Sequence, residues 1–370
     1  MSDPVLDPYT ARATDPSASQ LLDPYPADKT GRHVELAVAW ETKNITRDLG
    51  PHLVALTYTD NLSGHPDDLD LEIEDRDGLW SGDWKPEFGD TVVARLKADP
   101  WLTDVEDLRL GKFAHDKITL DGPPRRAHLK CVSAPLATGL RRRKRTRSWN
   151  SVTLKQIAQD IADRAGLSLK FDGDAGLKYG HRKQSDKSDL EFLEELAKEV
   201  GRTLKVTEEQ IVLFEEEKLD GGESVGELDL IGGKVLGWSF DSDDSGRYGG
   251  CVITFLDPRS GKLQKGQFPA DGQPVPSGLD PDGQTLELRM AVSSIGEAGA
   301  RAKALLRAAN KFANKGTITV VGDPGLVAGV TFDLTNAQAF NGKFIIERAE
   351  HHPVGGYTCT LGIRRCLEGY

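Results

Sequence analysis

Polar and apolar residues alternate through the first third of the chain, over His33 to Trp40, His52 to Thr59, Leu69 to Ile73, Thr91 to Leu96, Gly111 to Leu120 and His128 to Val132. A period of two puts successive side chains on opposite faces, so each stretch predicts a strand with one buried face. Short strands at this spacing, separated by turns rich in Gly, Pro and Asp, predict a closed or nearly closed antiparallel barrel.

The period then changes to 3.6. Thr153-Leu154-Lys155-Gln156 reads as a capping box, and Leu154, Ile157, Ala158, Ile161, Ala162 and Ala165 form one apolar face that stops at Gly166. A second box, Ser188-Asp189-Leu190-Glu191, opens a helix with Leu190, Leu193, Leu196, Ala197 and Val200 inward, ending at Gly201. Strand-like runs at Leu167 to Phe171, Thr203 to Val206 and Gln210 to Phe214 complete a small α/β unit. Alternation returns at Val235 to Phe240, Cys251 to Leu256 and Lys262 to Phe268. A polar loop from Pro269 to Gln284 follows, then a helix over Ser294 to Ala313 with Ala298, Ala302, Leu305, Ala309 and Phe312 spaced to face a core. Strand character resumes at Gly316.

One pattern occurs twice. Gly111-Lys112-Phe113 follows Gly89-Asp90-Thr91-Val92-Val93-Ala94-Arg95-Leu96, and the turn Gly122-Pro123-Pro124 leads on to His128-Leu129-Lys130-Cys131-Val132. Late in the chain Gly342-Lys343-Phe344 follows Gly329-Val330-Thr331-Phe332-Asp333-Leu334, and Pro353-Val354-Gly355-Gly356 leads on to Tyr357-Thr358-Cys359-Thr360-Leu361. Two similar β-modules in one chain would give a trimer six comparable faces, a way for three-fold order to meet six-fold order. Cys131 and Cys359 fall at like places in the two copies and read as small buried apolar groups.

The sequence therefore predicts a mainly β protein with α+β insertions: two similar antiparallel β-barrel modules plus a small α/β domain and an inserted helix. The expected divisions are a flexible leader arm over 1–30, a first tube-like module over 31–135, a basic linker over 136–147 and an α/β domain over 148–232. The second module takes 233–268 and 315–370, with the inserted loop and helix at 269–314. The leader, rich in Asp, Pro, Ser and Ala, holds Leu-Asp-Pro-Tyr twice, at Leu6 to Tyr9 and Leu22 to Tyr25. It has too little apolar surface to fold alone, and reads either as a mobile leader or as an arm docking on a neighbouring subunit.

A net charge of −11 over 370 residues argues against stable nucleic-acid binding, which needs a positive surface. No apolar run approaches the roughly 20 residues that span a bilayer, and Met1-Ser2-Asp3-Pro4 lacks the basic and apolar parts of a signal peptide. No membrane association is expected, and the chain reads as made and kept in the cytosol. Cys131, Cys251, Cys359 and Cys366 form no C-x-x-C pair, which disfavours a zinc site or a disulfide framework.

Motifs for catalysis are missing: there is no G-x-S-x-G elbow, phosphate loop, H-E-x-x-H helix or dinucleotide-binding glycine pattern. Asp241-Ser242-Asp243-Asp244-Ser245-Gly246 resembles the start of a calcium loop, but Val252 stands where a bidentate glutamate is required. His351 and His352 are adjacent strand residues pointing to opposite faces, a poor metal pair. Acidic residues crowd Asp186 to Glu217 without an isolated acid and base. No enzyme activity, cofactor or metal is expected.

One charged feature stands out in this acidic chain: Arg141, Arg142, Arg143, Lys144, Arg145 and Arg147, six cations in seven residues. They repel one another unless water or an anion compensates. A hydrated linker, a contact to an acidic partner surface, and a contact to DNA or its screening ions all remain open.

Lys178-Tyr179-Gly180-His181-Arg182-Lys183-Gln184-Ser185-Asp186-Lys187-Ser188-Asp189-Leu190-Glu191-Phe192-Leu193, onward to Gly201, resembles a signature of the phage late control protein D family. The likeness extends to Trp80 through Gly89, to Gly111-Lys112-Phe113 with its Gly122-Pro123-Pro124 turn, to Ser148-Trp149, and to Gly322-Asp323-Pro324 through Leu334. It covers most of residues 31–366 in order. The resemblance implies the central hub of a contractile tail baseplate, related to the hub portion of type VI secretion spike proteins. It implies a homotrimer whose two barrels per chain form a pseudo-six-fold ring between a hexameric tail-tube or tube-initiator protein and a trimeric spike. The further partners expected on this resemblance are other baseplate proteins and the tape measure, and the expected location is the virion tail baseplate, assembled in the host cytoplasm. It implies no catalytic residues and carries no role onto Arg141 to Arg147. No glycine-rich or Val-Gly-repetitive stretch follows Cys366, so the spike is expected to be a separate polypeptide. The alternative is a barrel-based binding module for single-stranded nucleic acid or carbohydrate, with Trp80, Trp84 and Trp101 as stacking platforms.

Overall fold

The computed structural model describes residues 33–370 apart from 100–106, 134–138, 176–177, 208, 244–245, 258–259, 271, 274, 277–278, 280–282 and 293. The leader over 1–30, with its two Leu-Asp-Pro-Tyr tetrapeptides, lies outside the described residues, as does Trp101.

The first module holds β1 (His33–Trp40), β2 (Lys43–Asn44), a helical turn α1 (Thr46–Leu49), β3 (Leu53–Asn61), β4 (Asp68–Glu74), β5 (Thr91–Asp99), β6 (Asp107–Asp121) and β7 (Arg126–Val132). Its strands lie in the order β3-β4-β7-β6-β5-β1-β2, all neighbours antiparallel. Alternation puts Leu69, Leu71 and Ile73 of β4, Val92, Ala94 and Leu96 of β5, and Leu108, Leu110 and Phe113 of β6 into one core. Aromatic and branched side chains suit such a pleated, one-sided surface.

The α/β domain follows: β8 (Lys144–Thr153), α2 (Leu154–Ala165), β9 (Ser168–Phe171), β10 (Lys178–Ser188), α3 (Asp189–Glu199), β11 (Arg202–Val206), β12 (Gln210–Glu215) and the short α4 (Glu216–Asp220). Both predicted capping boxes form, Thr153 with Gln156 and Ser188 with Glu191, and Gly166 closes α2 in the left-handed conformation. The helices bury Leu154, Ile157, Ile161, Leu193 and Leu196 against Ile211 and Leu213 of β12. The run over 136–147 is not a linker throughout, because Lys144, Arg145 and Arg147 already belong to β8, which pairs with β10.

The rest comprises β13 (Glu227–Asp229), β14 (Val235–Ser242), β15 (Tyr248–Leu256), β16 (Leu263–Phe268), β17 (Gln284–Arg289), α5 (Ile295–Asn310), β18 (Asn314–Val321), β19 (Thr331–Thr335), β20 (Gly342–His352) and β21 (Thr358–Arg365). Here the divisions need correcting. β15 and β16 do not join the second module; they form a separate three-stranded sheet with β17, and α5 packs on it through Ala298, Ala302 and Leu306. The insertion thus begins just after β14, since alternation shows that a strand exists but not which sheet takes it. In α5 the buried stripe passes through Leu306, while Phe312 lies beyond the helix end and is exposed.

The duplication is visible strand by strand. β5-β6-β7-β4-β3 of the first module has its counterpart in β19-β20-β21-β18-β14. Val92 lies opposite Phe113, and Phe332 opposite Phe344. The Gly89 N–H donates to the His115 carbonyl at 2.8 Å, and the Gly329 N–H to the Ile346 carbonyl at 2.8 Å. Gly111 and Gly342 have φ of 109° and 135°, a region open to glycine and costly to other residues. Bulges match too, between His115 and Lys117 against Ile346 and Arg348, and between Leu53 and Ala55 against Val235 and Gly237. One expectation shifts: Cys131 lies opposite His115, so its counterpart is Ile363, opposite Ile346, not Cys359. The offset is four residues, an even number, so both thiols still point inward and are fully buried.

The two modules share one thirteen-stranded sheet. β20 pairs with β19 over its first residues and with β3 over its last, where Tyr58 lies opposite His351 and Asn61 opposite Arg348.

Candidate assembly interface

The joint between β3 and β20 is where the copies meet, and the buried carboxylate of Asp60 there is satisfied from two sides. Asp60, buried in the joint, accepts from the Lys205 ammonium at 2.7 Å and from the Ala328 N–H at 3.1 Å. Lys205 also reaches Asp67 at 3.2 Å and the Asn61 carbonyl at 2.9 Å. A cation from β11 of the α/β domain thus balances two buried carboxylates of the first module, and charges of this kind are kept in the interior only when so paired.

A second buried network ties the α/β domain and α5 to the second module. Arg364 of β21 donates to Asp220 at 3.0 Å and to Glu216 at 3.2 Å, and it also bonds Glu347 at 2.5 Å. Arg307 of α5 bonds Asp220 and the Tyr370 carbonyl, and Lys311 bonds Glu216 at 2.8 Å. Burial alone would raise the Glu216 carboxyl, but Lys311 and Arg364 outweigh it and hold the group down at about 2.

The structure separates the six cations of the basic run. Arg142 lies 3.3 Å from Asp116 and stacks over Phe88 at 5.6 Å, seating the basic turn on the first module. Lys144 approaches Asp186 at 3.8 Å, and Arg145 lies 3.3 Å from the buried Asp189. Arg141 and Arg143 are exposed on the turn, and Arg147 is half-buried in β8 opposite Gln184. A groove of about 500 Å³ runs beside Phe88, His115, Asp116, Lys117 and Ile118, next to the Arg142 contact. Sequence reasoning missed the partners because Asp116, Asp186 and Asp189 are 26 or more positions away, and no local pattern marks them.

Other candidates resolve into structure. His351 lies buried within 2.7 Å of the Tyr357 hydroxyl and 3.3 Å of the Cys359 sulfur, while His352 lies on the other face, 3.2 Å from the Thr57 hydroxyl. Burial pushes the Cys131, Cys359 and Cys366 thiols up to about 12. Asp241 and Ser242 are strand residues of β14, and among the described residues no three His, Cys, Asp or Glu side chains are grouped to hold a metal ion. Trp80 is a core residue packed edge-on between Trp40 and Trp84, so it offers no stacking platform; Trp84 is exposed. On the polar face of β4, burial pushes Asp70 up to about 6, with Lys130 opposing the shift and Asp68 adding to it.

Two phage proteins match the chain in sequence. The probable baseplate hub protein of Escherichia phage 186 is 28% identical over 227 residues, 60% of this chain and 56% of that protein. The probable baseplate hub protein of Escherichia phage P2 is 30% identical over 167 residues, 45% of this chain and 41% of that protein. The chain is similar in sequence to phage baseplate hub proteins. The matched stretch spans about half the length of the two phage proteins, and no family model matches the chain. Its fold is shared with a 43 kDa tail protein of prophage MuSo2 from Shewanella oneidensis, at a TM-score of 0.63 and 14% identity, over 89% of this chain and 98% of that one. A tail protein of Neisseria meningitidis gives a TM-score of 0.63 at 11% identity, over 90% and 96% of the two chains. A type VI secretion component of E. coli gives 0.51 at 12% identity, over 85% and 73%. These likenesses carry the mainly β fold with its several sheets.

Proposed function

We propose that this chain is the structural centre of a contractile tail baseplate. Three chains form a ring of six similar modules that connects the hexameric tail tube, or its initiator, to a separate trimeric spike. The observation that carries this reading is the duplicated five-strand unit, matched in register, glycine positions and bulges, with its copies already joined side by side through β3 and β20. The continuous ladder supplies stiffness, because the joint satisfies backbone groups that an open edge would leave to solvent. The reading involves no catalysis; the protein holds partners in place within the virion, after assembly in the host cytoplasm.

Arg141 and Arg143, turned to solvent on a turn that Arg142 anchors, belong to a contact with an acidic surface of another baseplate protein or the tape measure. The deciding measurement is copy number in the native particle. Three copies per tail are expected; six or twelve, or a stable dimer by light scattering, would overturn the reading.

A further inference from the structure

Every contact in the β3·β20 joint has a duplicate position in the chain, and the duplicates are unmatched. Counterparts follow from the ladders. Leu69 lies opposite both Tyr58 and Cys131, and Gly316 opposite both Phe240 and Ile363, so Phe240 of β14 is the counterpart of Tyr58. Counting five residues on from His115 and from Ile346 makes Leu120 of β6 the counterpart of His351. Ring packing agrees: Tyr58 lies 6.1 Å from Phe113, and Phe240 lies 6.5 Å from Phe344.

β3 docks on the last residues of β20. By the duplication, β14 should dock on the last residues of β6, yet within the chain β14 pairs only with β18, and Lys117–Asp121 of β6 pairs only with β7 among the described residues. Exposure carries the same mark. His351 is 0% exposed and its counterpart Leu120 is 46% exposed; Leu56 is 1% exposed and its counterpart Trp238 is 59% exposed. Leu236 of β14 is exposed as well. Open edges bearing large apolar side chains invite pairing with another chain.

We propose that the outer edge of β14 pairs antiparallel with Lys117–Asp121 of β6 in a second copy of this chain, repeating the β3·β20 joint between subunits. The register is fixed: Phe240 opposite Leu120, Asp241 opposite Thr119 and Ser242 opposite Ile118. A second copy is the occupant because the two vacant edges are complementary by descent from one joint, and each chain carries both. The contact is head-to-tail, and with the three chains of the hub reading its repetition closes a ring in which internal and intermolecular joints alternate. This rests on the hub reading for the number of chains but fixes residues that the reading leaves open.

The Leu62 N–H donates to the Glu347 carbonyl at 2.8 Å, so Tyr58, Asp60 and Leu62 turn their N–H groups to β20, and Thr59 with Glu350 is a non-hydrogen-bonded pair. The intermolecular equivalent is Asp241 with Thr119, with Cα atoms about 4.5 Å apart, a spacing that a disulfide spans. The test is the full chain carrying Asp241→Cys and Thr119→Cys, oxidised mildly in concentrated solution and in assembled tails. The expected result is covalent dimers and trimers on a non-reducing gel, absent from either single variant and weaker with Asp241→Cys paired with Asp121→Cys. Leu120→Glu is expected to raise the dissociation constant of the assembly at least ten-fold while the melting temperature of the isolated chain stays unchanged. Trimers that form no such cross-link, cross-links to a different polypeptide, or assembly unmoved by Leu120→Glu overturn the joint and leave the hub reading standing. Tails with six or twelve copies overturn the hub reading, whatever the cross-link shows.

Discussion

Arg364 donates to Asp220 at 3.0 Å with neither side chain exposed to solvent. Asp220 also accepts from Arg307 and from the Leu367 N–H at 3.0 Å, so one carboxylate serves two buried guanidinium groups and a backbone donor. The residues come from α4, α5 and β21, and the pair is the point where the α/β domain, the insertion and the second module lock together. Asp220→Asn keeps the shape and removes the charge, leaving two buried cations short of their counter-ion. A loss of about 3–5 kcal/mol is expected by urea denaturation.

The same network sets a pH limit. Glu216 is held at about 2, below its ordinary value of 4.5. A carboxylate with a depressed folded value contributes stability that is fully present above about 4.5 and drains away as pH falls toward about 2. Melting temperature is expected to drop through that window, and a Glu216→Gln chain to show a shallower drop. Parallel profiles for the two proteins would contradict this.

Gly111 and Gly342 sit at matching places with φ of 109° and 135°. Replacing either with alanine is expected to cost roughly 1–3 kcal/mol through backbone strain; nothing lies within 4 Å of the added carbon at Gly111, whereas at Gly342 the Arg365 guanidinium, 2.8 Å from it, must also shift. Similar losses at the two sites, measured as urea midpoints, would reflect their common origin. A neutral change at one of them would not.

Cys131, Cys251, Cys359 and Cys366 are all buried and unbridged, and burial pushes each thiol up to about 11 or 12. Thiolate, the reactive form, is therefore scarce at neutral pH. A thiol-specific disulfide reagent is expected to leave the native chain unlabelled and to modify all four residues in denaturant.

The basic run divides by what each cation touches. Arg145 faces the buried Asp189 at 3.3 Å, whereas Arg143 is exposed on the turn. Arg145→Ala is expected to destabilise the chain by about 1–3 kcal/mol and Arg143→Ala by less than about 0.5 kcal/mol. A combined Arg141→Ala and Arg143→Ala chain should fold normally and incorporate poorly into tails, read as copies per particle against wild type.

Local signals were the legible ones. Thr153 and Ser188 cap their helices as their spacing foretold, because a cap is settled within four residues. The repeat was legible because Gly111-Lys112-Phe113 and Gly342-Lys343-Phe344 keep the glycine that the bend requires. Sheet membership was not: β15 alternates like any half-buried strand, and only distant partners place it beside β17. The joint escaped for the same reason, since Tyr58 and His351 are far apart in sequence and neither carries a mark of the other. In the basic run, composition announced the charge but not that Asp116, Asp186 and Asp189 would absorb half of it.

The insertion leaves and re-enters at a single point. The Asp243 N–H donates to the Ala313 carbonyl at 2.8 Å, and Ser242 lies opposite Asn314, so the chain departs from β14 and returns to β18 at neighbouring rungs. Such a doorway lets the material between grow, shrink or be exchanged over generations while the framework on either side keeps its alignment. Variation in this segment can therefore accumulate at one port without disturbing the register of the strands on either side.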